Sequence, residues 1–215
     1  MRKLIVSTFL SLDGVMQAPG GDGEDDSGGF DQGGWSVNYW DERMGEIQTD
    51  FMGSRGFDLL IGRKTYEIFA AFWPHASEEE GAGPLNRATK YVVSTTLASA
   101  DWDPSVLIGQ DVVAQINRLK GEDGPELQVH GSSQLIQILI KHDLVDEYRL
   151  WTFPVLLGKG KRLFGDGVIP AGLRLVDTKM STTGVIIATY ERAGAINHGT
   201  FAHDQPTAAQ GERPS

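Results

Sequence analysis

The sequence predicts an α/β fold, with a mixed, mostly parallel central sheet flanked by helices and an antiparallel hairpin at its C-terminal edge. First, strand-like and helical segments alternate through most of the chain, which implies right-handed crossovers between parallel strands. Second, the last three strand-like segments have little helix between them, so the final strands should pair as a hairpin. Third, a chain of 215 residues with 40% hydrophobic side chains can bury one sizeable core.

The elements of the alternating part follow from local patterns. Leu4–Leu10 is an apolar run too short to cross a membrane, and it predicts a buried first strand. From Asp41 to Ser54, apolar residues recur near helical spacing and glycines follow. Further strands are predicted at Phe57–Gly62, Lys90–Thr95, Val106–Ile108 and Leu127–His130, and further helices at Thr65–Phe72, Val112–Lys120 and Ser132–Lys141.

The C-terminal part contains predicted strands at Val145–Pro154, Leu173–Thr178 and Gly184–Arg192. Residues 193–215 carry few large apolar groups and three residues that break regular structure. We therefore expect one domain over residues 1–192, followed by a mobile tail over 193–215.

Two acidic, glycine-rich segments are predicted as loops, at 18–36 and at Ala76–Pro84. The first, termed the acidic loop below, is long for a compact domain, so it is either a solvated insertion or a functional lid. The lid interpretation rests on aromatic residues that are costly to expose: Phe30, Trp35, Tyr39 and Trp40. As a lid it would keep its acids in water and repel anions, which favours a neutral or cationic substrate; these acids are Asp22, Glu24, Asp25 and Asp26.

The composition excludes several classes of function. A net charge of -10 argues against nucleic acid as a partner. The absence of cysteine excludes thiolate metal sites and cysteine nucleophiles, and no histidines stand at metal-ligand spacing, so no metal is expected. No signal-peptide pattern follows Leu10, so we expect a cytoplasmic protein without membrane contact.

Small, basic and hydroxyl residues follow three predicted strands. They are Gly62, Arg63, Lys64 and Thr65 after the second strand, Ser94 and Thr95 after the third, and Gly131, Ser132 and Ser133 after Leu127–His130. Open α/β sheets bind ligands at such strand ends, and helix N-termini attract phosphate. Serine is also an ordinary helix cap, so Gly131-Ser132-Ser133 alone leaves both interpretations open.

Six motifs carry a resemblance to a known family: STFLSLDG, LIGRKTYE, YVVST, HGSSQL, LVDEYRL and PVLLGKGKRLF. Over residues 2–192 the chain resembles the dihydrofolate reductase-like superfamily. Within that superfamily it is similar to stand-alone relatives of the reductase domain of bacterial riboflavin biosynthesis, the C-terminal domain of a bifunctional deaminase-reductase. The resemblance implies a dihydrofolate reductase-like fold that binds NADPH across its strand ends.

The resemblance also implies positions for the cofactor. The residues Gly62 to Thr65 would lie at its phosphates, and Ser94 and Thr95 would lie near the adenosine ribose and its 2′-phosphate. The pyrophosphate would be held by Gly131, Ser132, Ser133, Gln134 and Leu135. The nicotinamide would lie near Gly158, Lys159 and Gly160. The family usually has a second glycine where this chain has Ser132. No acid follows Ser94 until Asp101, which favours NADP(H) over NAD(H).

Candidate catalytic residues are Asp13 and Glu46. Asp13 resembles the family's recurring acid in its SLDG motif, and fixing a turn with Gly14 is the alternative. Glu46 falls near the position of the substrate-binding acid of folate reductases, and it shares a helix face with Asp50; a solvated face is the alternative. His130 is interpreted as a capping or packing residue.

Substrate contacts are expected from Trp35, Tyr39, Trp40 and Asp50, with the aromatic rings stacking on a flat ligand. Lys159, Lys161 and Arg162 either meet an anionic substrate or are surface charges.

The first functional hypothesis is an NADPH-dependent reductase of a small heterocyclic or carbonyl substrate. The alternative is a non-catalytic protein that binds NADP(H) or another nucleotide on the same fold. A folate reductase proper fits less well, because the acidic loop does not match that family's shorter loop. The late strands leave a sheet edge or face that needs cover, so a homodimer is expected.

Overall fold

Eight strands and five α-helices are present in the computed structural model, which describes residues 1–53, 56–78, 81–165 and 168–201. The strands are β1 Leu4–Ser11, β2 Phe57–Gly62, β3 Lys90–Val93, β4 Ser105–Ile108, β5 Glu126–His130, β6 Glu147–Phe153, β7 Leu173–Met180 and β8 Ile186–Arg192. The helices are α1 Glu42–Met52, α2 Arg63–Phe72, α3 Ala82–Arg87, α4 Val112–Gly121 and α5 Ser133–Lys141. Among these described helices, none is long and apolar enough to span a membrane.

The strands form one sheet in the order β4-β3-β2-β5-β1-β6-β8-β7. Strands β1 to β6 pair in parallel, and β8 pairs antiparallel with both β6 and β7. The predicted fold class is therefore confirmed, including the hairpin at the C-terminal edge. Parallel pairing brings the carboxyl ends of β1, β2 and β5 to one edge of the sheet, and that edge carries the site described below.

Side chains that alternate along each strand build two separate layers of core. On β2, Leu60 packs with residues of α4 and α5, whereas Leu59 and Ile61 pack with α2 and α3. On β6, Leu150 belongs to the first of these layers, and Trp151 packs with α1. Helices α1, α2 and α3 thus cover one face of the sheet, which is called the front face below.

Most predicted boundaries agree with the structure to within a few residues, but the predicted loop Ala76–Pro84 ends in a helix. Helix α3 begins at Ala82 and includes Pro84 as its third residue. Proline is tolerated there because the first backbone N–H groups of a helix have no acceptor within it.

The predicted tail is anchored where it begins. The amide of Ala193 donates to the carbonyl of Gly172, and the amide of Gly172 donates to the carbonyl of Gly194, both at 2.8 Å. Residues 202–215 of the tail lie outside the described residues.

Candidate functional site

Two helix N-termini meet at the carboxyl edge of the sheet, where β2 leads into α2 and β5 leads into α5. The Ser132 hydroxyl accepts a hydrogen bond from the amide of Gly62 at 3.0 Å. The Ser132 amide in turn donates to Oγ1 of Thr65, also at 3.0 Å. The structure thus brings together two motifs that lie about 70 residues apart and that were both predicted to contact the cofactor's phosphates.

The chain turns between β5 and α5 through two successive left-handed residues, Gly131 with φ 53° and Ser132 with φ 59°. A Cβ atom at Gly131 would lie only 3.2 Å from Oγ1 of Thr65, so a larger residue would crowd the Thr65 side chain. A left-handed serine costs about 1–2 kcal/mol. The hydrogen bonds of Ser132 to Gly62 and Thr65 offset that cost, which explains how the chain tolerates the missing second glycine.

The other residues predicted at the pyrophosphate differ in how accessible their side chains are to a ligand. The Leu135 side chain is 3% exposed and packs in the core, so only its backbone is available to a ligand. Ser133 is half-buried in the first turn of α5, and Gln134 is exposed there.

The residues predicted near the adenosine lie at the end of β3, next to Gly62 in the sheet. Oγ of Ser94 accepts the amide of Leu97 at 2.9 Å and shapes the turn, while Thr95 is exposed. Arg63 forms an ion pair with Glu67 at 2.9 Å on the surface of α2.

The acidic loop contacts the lysines of this edge. Asp25 bridges two of them, with Lys64 Nζ at 2.8 Å and Lys161 Nζ at 2.6 Å. Lys159 donates to the carbonyl of Gly29 at 2.8 Å. The expectation that the loop's acids stay in water is wrong for Asp25, whose side chain is 13% exposed because it lies between these cations.

Hydrogen bonds and burial shift the pKa of two loop acids in opposite directions. Burial raises the pKa of Asp25, but hydrogen bonds from Lys161, Lys64 and Ser27 outweigh it and leave the pKa well below the usual range. Burial raises the pKa of Glu24 despite its hydrogen bonds from the amides of Gly20 and Gly21. Asp22 and Asp26 are exposed, as expected.

Gln17 organises the acidic loop from its buried side. Its side-chain amide donates to the carbonyls of Asp25 and Ser27, both at 2.9 Å, and its Oε1 accepts the amide of Lys161 at 3.0 Å. Its backbone carbonyl accepts the indole N–H of Trp35 at 2.8 Å. Gln17 carries no signal in the sequence, because no local pattern reveals which glutamine becomes buried.

A cavity of about 270 Å³ lies where the acidic loop meets the segment Gly158–Lys161. It is smaller than the roughly 300–1,000 Å³ of typical small-molecule pockets. Its lining comprises Gln17, Ser27, Gly28, Phe30, Lys159, Gly160 and Lys161. A Cβ atom at Gly160 would lie 2.6 Å from the Val15 side chain and 3.0 Å from Phe30, so glycine is required for this packing.

Asp13 joins the first turn to the segment that carries Gly158. Its carboxylate accepts the Ser11 hydroxyl at 2.6 Å and the amides of Leu157 and Gly158 at 3.1 and 2.8 Å. The hydrogen bond from Ser11, together with the two amides, lowers the pKa of Asp13 to about 2. An ionised carboxylate that is held in this way fixes the turn and does not suit a proton donor at neutral pH.

The aromatic residues predicted as substrate contacts join a larger aromatic cluster on the front face. Trp35 and Tyr39 meet Phe153 edge-on, at 5.3 and 5.9 Å between ring centroids. Trp40 lies nearly parallel to Trp151 at 6.1 Å and is 46% exposed. The acidic loop thus reaches both parts of the candidate site, with Asp25 on the lysines and Trp35 on the aromatic cluster, and Trp40 follows the loop.

The acids predicted for catalysis and substrate binding, Glu46 and Asp50, both lie on α1. Glu46 is exposed, whereas its neighbours Met44 and Ile47 face the core. Asp50 is exposed and lies 3.8 Å from Lys179 of β7.

His130 stands at the end of β5, beside Gly131, and its protonation can be inferred from its neighbours. The Gln128 amide group donates to the carbonyl of Phe51 and to Glu126, so its Oε1 faces His130 Nε2 at 2.9 Å and can only accept. His130 therefore carries its proton on Nε2. Burial, and then the charge of Arg149, lower its pKa to about 4, which agrees with the interpretation as a packing residue that is neutral at pH 7.

Comparisons with known proteins agree with this architecture. The uncharacterised protein YyaP of Bacillus subtilis (strain 168) is 30% identical over 197 residues, which cover 90% of this chain and 96% of YyaP. A candidate riboflavin biosynthesis protein from Shewanella sp. PV-4 shares the fold with a TM-score of 0.67 and 24% identity, over 89% of this chain and 99% of that one.

A dihydrofolate reductase from Enterococcus faecalis, solved with NADP(H), shares the fold with a TM-score of 0.53 and 15% identity, over 88% of this chain and 96% of that one. The profile of the family described as RibD C-terminal domain matches residues 2–187. The chain therefore belongs to the RibD C-terminal domain family, as its motifs indicated.

Proposed function

We propose that the protein is an NADPH-dependent reductase that transfers hydride to a small heterocyclic or carbonyl substrate. The observation that carries the proposal is the convergence of two helix N-termini at Gly62–Thr65 and Gly131–Ser133, tied together by Ser132. Backbone N–H groups and helix dipoles at such a place favour the pyrophosphate of a dinucleotide. NADPH supplies the hydride when it is bound, and the protein supplies alignment and a dry surface.

The residues present fit this cofactor in two respects. A side chain at Gly131 would approach Thr65 and narrow the space above the turn. The Asp25 carboxylate already accepts hydrogen bonds from Lys64 and Lys161 at the same edge, which indicates that this edge attracts anions. The dihydrofolate reductase that shares this fold was solved with NADP(H), which supports the same choice of cofactor.

The substrate is proposed to lie on the front face, against Trp40. The Trp40 ring is 46% exposed and is backed by the buried Trp151, nearly parallel to it at 6.1 Å between ring centroids, so it would offer a flat apolar surface. Such a surface suits a flat heterocycle.

The alternative, a non-catalytic protein that binds NADP(H), is favoured by the state of the candidate acids. Asp13 is ionised and engaged by three hydrogen-bond donors, and Glu46 is exposed on α1. Both hypotheses require NADPH binding, and they differ in whether any substrate oxidises it.

The deciding experiment has two steps. NADPH and NADH are first titrated by fluorescence, and we expect NADPH to bind at least about tenfold more tightly, because a charge-assisted phosphate contact is worth ~1.5–3 kcal/mol. Pterins, pyrimidines and quinones are then screened for NADPH consumption. Equal affinities would contradict the assignment of the 2′-phosphate, and tight binding without any turnover would favour the non-catalytic alternative.

A further inference from the structure

The Asp25 carboxylate joins two lysines from distant parts of the chain. Lys64 lies in the first turn of α2, and Lys161 lies beyond β6, next to Gly160. One carboxylate oxygen lies 2.8 Å from Lys64 Nζ and the other lies 2.6 Å from Lys161 Nζ. Two ammonium groups that converge on one anionic group are also the arrangement that binds a phosphate.

The position of this pair links it to the candidate cofactor site. Lys64 is adjacent in sequence to Thr65, which contacts Ser132 at the corner between β5 and α5. Lys161 lines the cavity beneath the acidic loop. The N-terminus of α2 adds its partial positive charge to the two lysines, so the site favours an anion even without Asp25.

The carboxylate of Asp25 can leave this site without unfolding the acidic loop. Gln17 holds the loop through the backbone carbonyls of Asp25 and Ser27, and these bonds do not involve the Asp25 side chain. The side chains of Lys64 and Lys161 are 49% and 36% exposed, so a solvent anion can reach them. Since both ammonium groups are partly solvated, a phosphate can replace the Asp25 carboxylate as their anionic partner.

We propose that Lys64 and Lys161 form a phosphate site, that the Asp25 carboxylate is its internal occupant, and that a phosphate group of the bound dinucleotide displaces it. The dinucleotide as ligand rests on the proposed function, whereas the site itself takes a phosphoryl anion in general. The acidic loop then acts as an internal competitor, and it is released from the lysines as the cofactor binds.

The test uses pyrophosphate and NADPH as separate probes in calorimetric titrations of three proteins: the wild type, Asp25→Asn and Asp26→Asn. Asp26 is the matched control, because it is an exposed neighbouring acid and its substitution makes the same change in net charge. We expect Asp25→Asn to bind both probes about 3- to 10-fold more tightly, since the competing carboxylate is gone, and Asp26→Asn to stay within about twofold. Lys161→Gln in the Asp25→Asn background should remove the gain.

Three outcomes decide the proposal. Unchanged or weaker pyrophosphate binding by a folded Asp25→Asn protein, or a gain that persists in the Lys161→Gln background, overturns it. A Lys161-dependent gain for pyrophosphate without NADPH binding to any variant keeps the phosphate site and rejects the proposed cofactor.

A measurement on the wild type covers the case in which Asp25→Asn fails to fold. The Ser27 amide donates to Oδ1 of Asp25 at 3.2 Å, so its hydrogen exchange should become faster when pyrophosphate saturates the protein. Exchange that stays the same or slows at saturation would show that Asp25 does not leave the site.

Discussion

At the scale of single residues, the turn at Gly131 carries the cofactor assignment. Gly131→Asp should abolish NADPH binding, because a carboxylate there would repel the pyrophosphate and fill the space beside Thr65. Gly131→Ala is the matched control, since it adds the same Cβ and the same left-handed strain, at φ 53°, without the charge.

The two variants separate repulsion from strain. We expect both proteins to fold, with a loss of about 1–2 kcal/mol from the left-handed residue. Titration with NADPH and urea unfolding give the two readouts. NADPH affinity that survives in a folded Gly131→Asp protein would show that the corner is only structural.

His130 predicts a dependence of stability on pH. Its pKa is about 4 in the folded protein and near 6.5 when it is unperturbed, so the unfolded chain binds a proton first as the pH falls. The free energy of unfolding should therefore decrease between about pH 6.5 and pH 4, by ~1–3 kcal/mol from this residue, with no further loss below pH 4.

Urea unfolding across that range, compared with His130→Gln, measures this contribution. The variant should lose less stability on acidification than the wild type, because its side chain has no proton to gain. His142→Gln, at an exposed position, should keep the wild-type slope. Parallel slopes for the wild type and His130→Gln would rule out this role for His130.

At the scale of elements, the acidic loop and the residues that follow it have different contacts. Asp25 of the loop contacts Lys64 and Lys161, whereas Trp40, beyond the loop, contacts Trp151 on the front face. We expect Trp40→Ala to raise the KM for substrate about tenfold, on the basis of ~1–1.5 kcal/mol for a ring contact, and to leave NADPH affinity within about threefold.

Val37→Ala is the control for this prediction, because Val37 is 55% exposed in the same segment and lies outside the aromatic cluster. Steady-state kinetics with the best substrate from the screen and NADPH titration provide the measurements. An unchanged KM together with much weaker NADPH binding would place Trp40 on the cofactor side.

At the scale of the whole molecule, the edge strand β7 is exposed along almost its entire length. The side chains of Leu175, Val176 and Met180 are 54%, 50% and 62% exposed. This is an unusual amount of apolar surface for a solvent-exposed edge strand. We propose that this surface pairs with a second copy of the chain, which agrees with the homodimer expected from the late strands.

Light scattering tests this proposal. The wild type should show about twice the 23.4 kDa chain mass at micromolar concentration, and Leu175→Glu should shift the mass toward a single chain. Val106→Glu makes the same change on β4 at the opposite edge of the sheet, where Val106 is 46% exposed, and should leave the mass unchanged. A wild type with the mass of one chain would reject the dimer.

The sequence by itself determined the fold class, most of the elements and the position of the turn at Gly131. These follow from local physics, because hydrophobic periodicity sets strands and helices, and glycine and serine mark the turns between them. The strand Phe57–Gly62 was predicted with its observed bounds, and the turn at Gly131 fell where β5 meets α5. Helix α3 was missed because Ala76–Pro84 was interpreted from its acids and glycines as a loop, although Pro84 is tolerated in a first helical turn.

Only the tertiary structure decided which charges and polar groups meet. Asp25 lies 39 residues from Lys64 and 136 from Lys161 in the chain, and no periodicity reports such pairs. The burial of Gln17 and the protonation of His130 likewise depend on partners that other segments supply. Electrostatic and hydrogen-bonding energies depend on distances in space. The ionised state of Asp13, and the position of the Asp25 carboxylate between Lys64 and Lys161, are therefore set only when the sheet brings distant strand ends together.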